Sequence, residues 1–157
     1  MAITHPRRVV TGLDAQGRSR WTSDDELVPV QGDPSKGLSI RDVWRIARLP
    51  VDLGEDGVPR QFETWPDPAG LSLRMVEVAP EQNYVWERDS RMHASRTVDL
   101  VIVISGEIWA YQKDEPEGRL LKPGDVLVQR GTLHAWRNLS DRPCLFACVL
   151  VGAASVE

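Results

Sequence analysis

The sequence predicts an all-β fold, an antiparallel barrel or double-sheet jelly roll with little helix. Three observations predict it. Twelve glycines and eleven prolines punctuate the chain at short intervals, which favours short strands and turns over long helices. The second half is a series of strand-sized apolar segments with turn residues every ~8–12 residues, the spacing of a sandwich or barrel. Residues 97–105, TVDLVIVIS, concentrate β-branched and aliphatic side chains as strands do.

Taken in order, Arg7 to Thr11 reads as a strand and Asp14-Ala15-Gln16-Gly17 as a turn. Ser23 to Lys36 is polar and contains proline, and is expected to be loop. Ile40, Val43, Trp44 and Ala47 have helical spacing, while Ile40, Trp44 and Ile46 also share a strand face. Periodicity alone leaves that segment open. Asp52 to Gly70, rich in glycine and proline, reads as a connecting loop. Leu71 to Ala79 is a strand ended by Pro80. Ser105-Gly106 turns residues 97–105 into Glu107 to Gln112, and Lys113 to Gly118 forms a charged hairpin loop. Leu120-Leu121 leads into Pro123-Gly124-Asp125, with proline where φ is preset and glycine where φ must be positive. Val126 to Gln129, His134 to Asn138 and Cys144 to Val151 complete the series.

At 157 residues the chain fits a single domain of ~100–200 residues. It divides into an N-terminal arm with loops over 1–68 and a barrel core over 69–152. A net charge of −4 argues against a nucleic-acid partner, which needs clustered Lys and Arg. No apolar run approaches the ~20 residues of a membrane-spanning helix, and residues 1–12 lack the apolar stretch of a signal peptide. Cys144 and Cys148 lie four apart in one apolar run, too far along a strand to bond each other. They are expected to be reduced packing residues of a cytoplasmic protein. No glycine-rich phosphate loop opens a helix, so no nucleotide cofactor is expected.

The chemistry concentrates at His93, Ser95, Thr97 and Asp99, spaced by two, so that an extended chain projects them from one face. His134 follows the turn Arg130-Gly131-Thr132, with Trp136 on its side of the strand. Two imidazoles and a carboxylate are the donor set of a facial triad for divalent iron and related metals. Without metal the same groups suit general acid–base work, because imidazole titrates near neutrality.

His93-x-Ser95-x3-Asp99-x6-Gly106 resembles the first motif of the cupin superfamily, His-x-His-x3–4-Glu-x6-Gly. Pro123-Gly124-Asp125 with Gln129-Arg130-Gly131-Thr132-Leu133-His134-x3-Asn138 resembles the second, Gly-Asp followed by Pro-x-Gly-x2-His-x3-Asn. Arg7-Arg8-Val9-Val10-Thr11-Gly12 and His134-Ala135-Trp136-Arg137-Asn138 are similar to a bacterial and fungal subgroup of mostly unassigned function. The resemblance implies a double-stranded β-helix barrel and makes His93, Asp99 and His134 the metal ligands and catalytic groups. The departures are Ser95 for the second histidine, Asp99 for glutamate, and Gln129 for a proline, the last expected to affect a turn and not chemistry. A site for iron, manganese, nickel or zinc and a metal-free pocket both remain open.

Ser95, Trp136 and Arg74 are candidate substrate contacts. An inward Arg74 would hold a carboxylate bidentately, although outward and solvated is the commoner placement. Trp136 suits pocket lining or core. Trp109 and Tyr111 are expected in the core, Trp86 in a lid, and His5 in a disordered terminus. Trp21, Trp44 and Trp65 suit barrel closure or a dimer interface. The expected function is that of a small-molecule enzyme with lyase or isomerase chemistry, by metal Lewis-acid or acid–base catalysis. A metal-dependent dioxygenase and a non-catalytic metabolite-binding cupin are the alternatives. A homodimer is expected, with residues 1–50 contributing strands to the partner or to the barrel rim.

Overall fold

The computed structural model describes residues 6–29, 31–33 and 37–154. His5 lies outside the described residues. Strands β1 (Arg7–Leu13) and β2 (Ser19–Glu26) form a separate hairpin around the expected turn at Asp14. The other strands form two sheets. Six run in the order β3 (Gln31–Asp33), β4 (Leu38–Ile46), β5 (Leu71–Val78), β11 (Cys144–Gly152), β6 (Thr97–Ser105) and β9 (Val126–Arg130). The smaller sheet is β10 (His134–Arg137), β7 (Ile108–Gln112) and β8 (Arg119–Leu121). All pairings between these strands are antiparallel. Among the described residues, helix is confined to a 3-10 turn, Glu81–Asn83, and to α1, Arg88–Arg91. No helix among the described residues is long and apolar enough to cross a membrane.

Two elements differ from the sequence reading. Part of the segment expected to be loop is strand, because β2 ends at Glu26 and β3 occupies Gln31–Asp33. Cross-strand ion pairs support the first hairpin, Arg7 to Asp24 and Arg8 to Asp25, and these leave no hydrophobic period to read. The open segment at 38–46 is strand, with a register shift between Asp42 and Trp44. The extra residue of such a bulge breaks strict alternation, which is why helical spacing competed.

The core lies between the sheets. Val76, Val78, Val101, Val103, Ile108, Cys144, Phe146, Cys148 and Leu150 pack into one buried cluster. Ile108 is fully buried, and full burial of one such side chain stabilises by about 1.5–3 kcal/mol. Cys144 and Cys148 are free thiols of this core, and burial pushes both up to about 12, which keeps them protonated and unreactive. Trp109 and Tyr111 instead sit half-buried on the alternate face of β7, beside Gly118.

Turns aim the strands at the site. Gly131, at φ 64°, reverses the chain between β9 and β10, and a Cβ there would lie 3.0 Å from the Ser95 carbonyl oxygen. Asn138 is fully buried. Its amide donates to the carbonyls of Val78 and Arg142 while its oxygen accepts from Ser140. The asparagine of the second motif therefore ties the end of β10 to β5.

Candidate functional site

A cavity of about 400 Å³ opens between the sheets. Its body is apolar, with Leu38, Ile40, Val76, Val101, Phe146 and Leu150 on the walls. His93, Ser95, Asp99, His134 and Arg74 also line it, with Phe62, Trp65 and Met92.

His93 and His134 are brought together by the backbone. The N–H of each donates to the carbonyl of the other, at 3.0 and 2.9 Å, in a bridge that ties His93, outside any strand, to the first residue of β10. The rings follow, with centroids 4.2 Å apart and planes at 52°. The His93 side is exposed and His134 is buried. Trp136 meets His134 edge-on, with centroids 5.8 Å apart, and packs on Phe146. It therefore serves both as pocket wall and as core.

Each Nδ1 faces a main-chain carbonyl. His134 Nδ1 lies 2.8 Å from the Thr132 oxygen and His93 Nδ1 lies 3.0 Å from the Arg91 oxygen. A carbonyl oxygen only accepts, so each Nδ1 carries a proton, and on a neutral ring the lone pair is then on Nε2. Burial lowers His134 to about 4, against the weaker upward pull of the Thr132 hydrogen bond, with His93 lowering it further. His134 is thus an uncharged imidazole at neutral pH.

Asp99 is buried on the inner face of β6. Burial raises its carboxyl above the usual carboxylate range, while hydrogen bonds from Thr97 and Ser95 and the charges of His93 and Arg74 pull it back. Thr97 Oγ1 donates to Asp99 Oδ1, and Ser95 Oγ lies 3.5 Å from Oδ2. Ser95 therefore touches the carboxylate as well as the cavity.

Arg74 corrects the sequence reading. It is buried rather than outward, and its Nε donates to Asp42 Oδ1 at 2.7 Å. Its other two nitrogens donate to the carbonyls of Thr64 and Glu63, and its guanidinium lies over Phe62. All three nitrogens bind the protein, so Arg74 anchors residues 62–64 to β5 instead of presenting a free bidentate clamp. Trp86 is not among the cavity-lining residues; its indole N–H donates to the Trp136 carbonyl and its ring lies under Arg137.

The donors fit a metal ion in part. Both imidazoles tie Nδ1–H to a carbonyl, the arrangement that makes Nε2 the ligating atom of a neutral ring. Asp99 shares their cavity, but among the described residues no three His, Cys, Asp or Glu side chains are gathered to hold one ion. The structure unites the imidazole pair and leaves the carboxylate with Thr97 and Ser95.

No family model matches the chain. Phomopsin biosynthesis cluster protein C' of Diaporthe leptostromiformis is 36% identical over 147 residues, covering 86% of this chain and 71% of that protein. The cupin-domain-containing oxidoreductase fogC of Aspergillus ruber is 30% identical over 144 residues, covering 88% of this chain and 66% of that one. The chain belongs to the cupin superfamily. Among solved structures, the polyketide cyclase RemF from Streptomyces resistomycificus shares the fold, at TM-score 0.51 and 18% identity over 79% of this cupin and 72% of that chain.

Gln129, expected to matter only for a turn, is a site residue that the motif comparison undervalued. It is 2% exposed and its amide bonds Gln112 and Thr132. A fully polar side chain at a strand position facing the core was the signal in the sequence.

The state of His134 sets a pH dependence. Its folded value, about 4, lies below the ordinary 6.5, so below pH 6.5 the unfolded chain takes up a proton that the native state refuses. Stability therefore falls as pH drops from 6.5 towards 4, by up to about 3 kcal/mol. Chemical denaturation of metal-free protein and of His134→Gln between pH 7.5 and 4.5 checks this. The wild type is expected to lose more stability on acidification than the variant.

Proposed function

We propose that this cupin is a small-molecule enzyme that binds a largely apolar substrate and moves a proton on it, with lyase or isomerase chemistry. The observation that carries the reading is an uncharged His134, proton-bearing at Nδ1, in one cavity with Asp99. His134 Nε2 is the group left to accept a proton. The Asp99 carboxyl, raised by burial, keeps its proton to higher pH than an ordinary aspartate and can return one. Proton removal at one substrate atom and delivery at another consumes no oxidant. Isomerisation, dehydration, cyclisation and decarboxylation all have that balance.

A second reading is a metal-dependent oxygenase or other oxidoreductase. It is favoured by the adjacent rings of His93 and His134, whose Nε2 atoms would hold iron, manganese, nickel or zinc. Relatives in Neurospora crassa, Aspergillus ruber and Hypocrea virens also bear the name cupin-domain-containing oxidoreductase. A bound metal would supply Lewis-acid or redox chemistry at that end of the cavity. These names, with the biosynthesis cluster proteins, support an enzyme of secondary metabolism.

Deuterium exchange into a panel of apolar carbonyl compounds, followed by proton NMR before and after chelation, separates the readings. Exchange that survives chelation and falls by about 10²-fold or more in His134→Ala is expected. Turnover only with restored metal and with oxygen uptake would establish the second reading. Tight binding without any turnover would make the protein a metabolite carrier.

The proposal extends to assembly as a two-fold dimer of this chain. The second face of β6 and β9 presents Leu100, Ile102, Ile104, Val126 and Val128, between 36% and 58% exposed. Leu100 pairs with Val128 and Ile102 with Val126 in register, so the patch is contiguous. Antiparallel sheets with one wet face normally alternate apolar and polar, whereas β6 is aliphatic on both sides. A contiguous exposed apolar face is a candidate interaction surface, and two-fold pairing of identical chains is the commonest assembly. Sedimentation velocity at micromolar concentration is expected to show a dimer for the wild type and a folded monomer for Ile102→Lys. A monomeric wild type would refute the assembly.

A further inference from the structure

Gln112 and Gln129 stand beside the site by register. Gln112 pairs with His134 across β7 and β10, and Gln129 pairs with Asp99 across β6 and β9. The two glutamines thus belong to different sheets and meet at the level of the site. Gln112 Nε2 donates to Gln129 Oε1 at 2.8 Å. Gln129 Nε2 donates to the Thr132 carbonyl at 3.2 Å and to the Thr132 hydroxyl, which donates to Gln112 Oε1 at 2.5 Å.

Every link of the ring runs from a donor to an acceptor, which fixes both amide orientations. Turning the Gln129 amide over would set its oxygen against the Thr132 carbonyl and orphan a buried donor. One atom joins this ring to the site. The Thr132 oxygen accepts from Gln129 Nε2 and also from His134 Nδ1.

We propose that Gln129 is a positioning residue, which holds the Thr132 carbonyl where it selects the Nδ1–H form of His134 and leaves Nε2 for the cavity. Gln112 completes the support from the smaller sheet. The assignment concerns the tautomer of a neutral ring, so it stands apart from whether Nε2 meets a substrate or a metal.

Nitrogen-15 NMR of the histidine rings in metal-free protein at pH 8 tests this without any turnover. The wild type should show His134 as Nδ1–H. Gln129→Leu removes both bonds that Gln129 makes to Thr132, and Gln129→Glu keeps an acceptor for Gln112 but loses the donor to Thr132. Both should lower the preference for Nδ1–H over Nε2–H by about tenfold, the ratio one hydrogen bond of ordinary net strength supports. Thr132→Val keeps the carbonyl and the Gln129 donor, so it should retain the wild-type tautomer. A ring that only braces the turn would change melting temperature and leave the tautomer where it was. An unchanged His134 in folded Gln129→Glu overturns the proposal, as does an equal shift in Thr132→Val.

Discussion

The arrangement of the site depends on one reciprocal pair of main-chain hydrogen bonds, between His93 and His134. They form an isolated bridge, so His93 is held outside any ladder, while His134 opens β10 opposite Gln112. Each bond contributes a net ~0.5–1.5 kcal/mol. Their larger effect is geometric. They fasten the segment preceding β6 to the start of β10, and the two motif histidines come within ring contact. Gly131 permits the approach, since its backbone passes close under the Ser95 carbonyl.

Around that bridge the polarity is sorted. Imidazoles, Asp99 and Ser95 share a cavity whose body is aliphatic and aromatic. Such a cavity binds an apolar ligand through its walls and fixes orientation with few polar groups. The burial that makes it apolar also makes its titratable groups unusual, with His134 held uncharged and Asp99 raised. Arg74 contributes from behind. Paired with Asp42 and bonded to Glu63 and Thr64, it fixes the segment that brings Phe62 and Trp65 to the cavity.

Much of this was legible in the residues. Strand β6 was plain because Leu100 to Ile104 is an unbroken aliphatic run, and the turn at Gly124 because its chemistry is local. The shared cavity of His93, Asp99 and His134 followed from alternation and motif order. Strand β2 was hidden because ion pairs rather than burial support it, and β4 because a bulge interrupts its period. Arg74 was misplaced for another reason. An arginine among apolar residues reads as outward until its partner is known, and Asp42 is remote in sequence. Gln129 was undervalued because comparison with a proline motif registers what is missing, not what the new side chain bonds.

Amide hydrogen exchange at His93 and His134 tests the bridge most directly. Each N–H is bonded to the other residue's carbonyl, so opening the bridge frees both together. The two amides should exchange within about tenfold of each other, and more slowly than that of exposed Ala94 between the bridge and β6. If the His93 amide instead exchanges as fast as that of Ala94 while His134 stays protected, the reciprocal bridge is not what holds the imidazoles together.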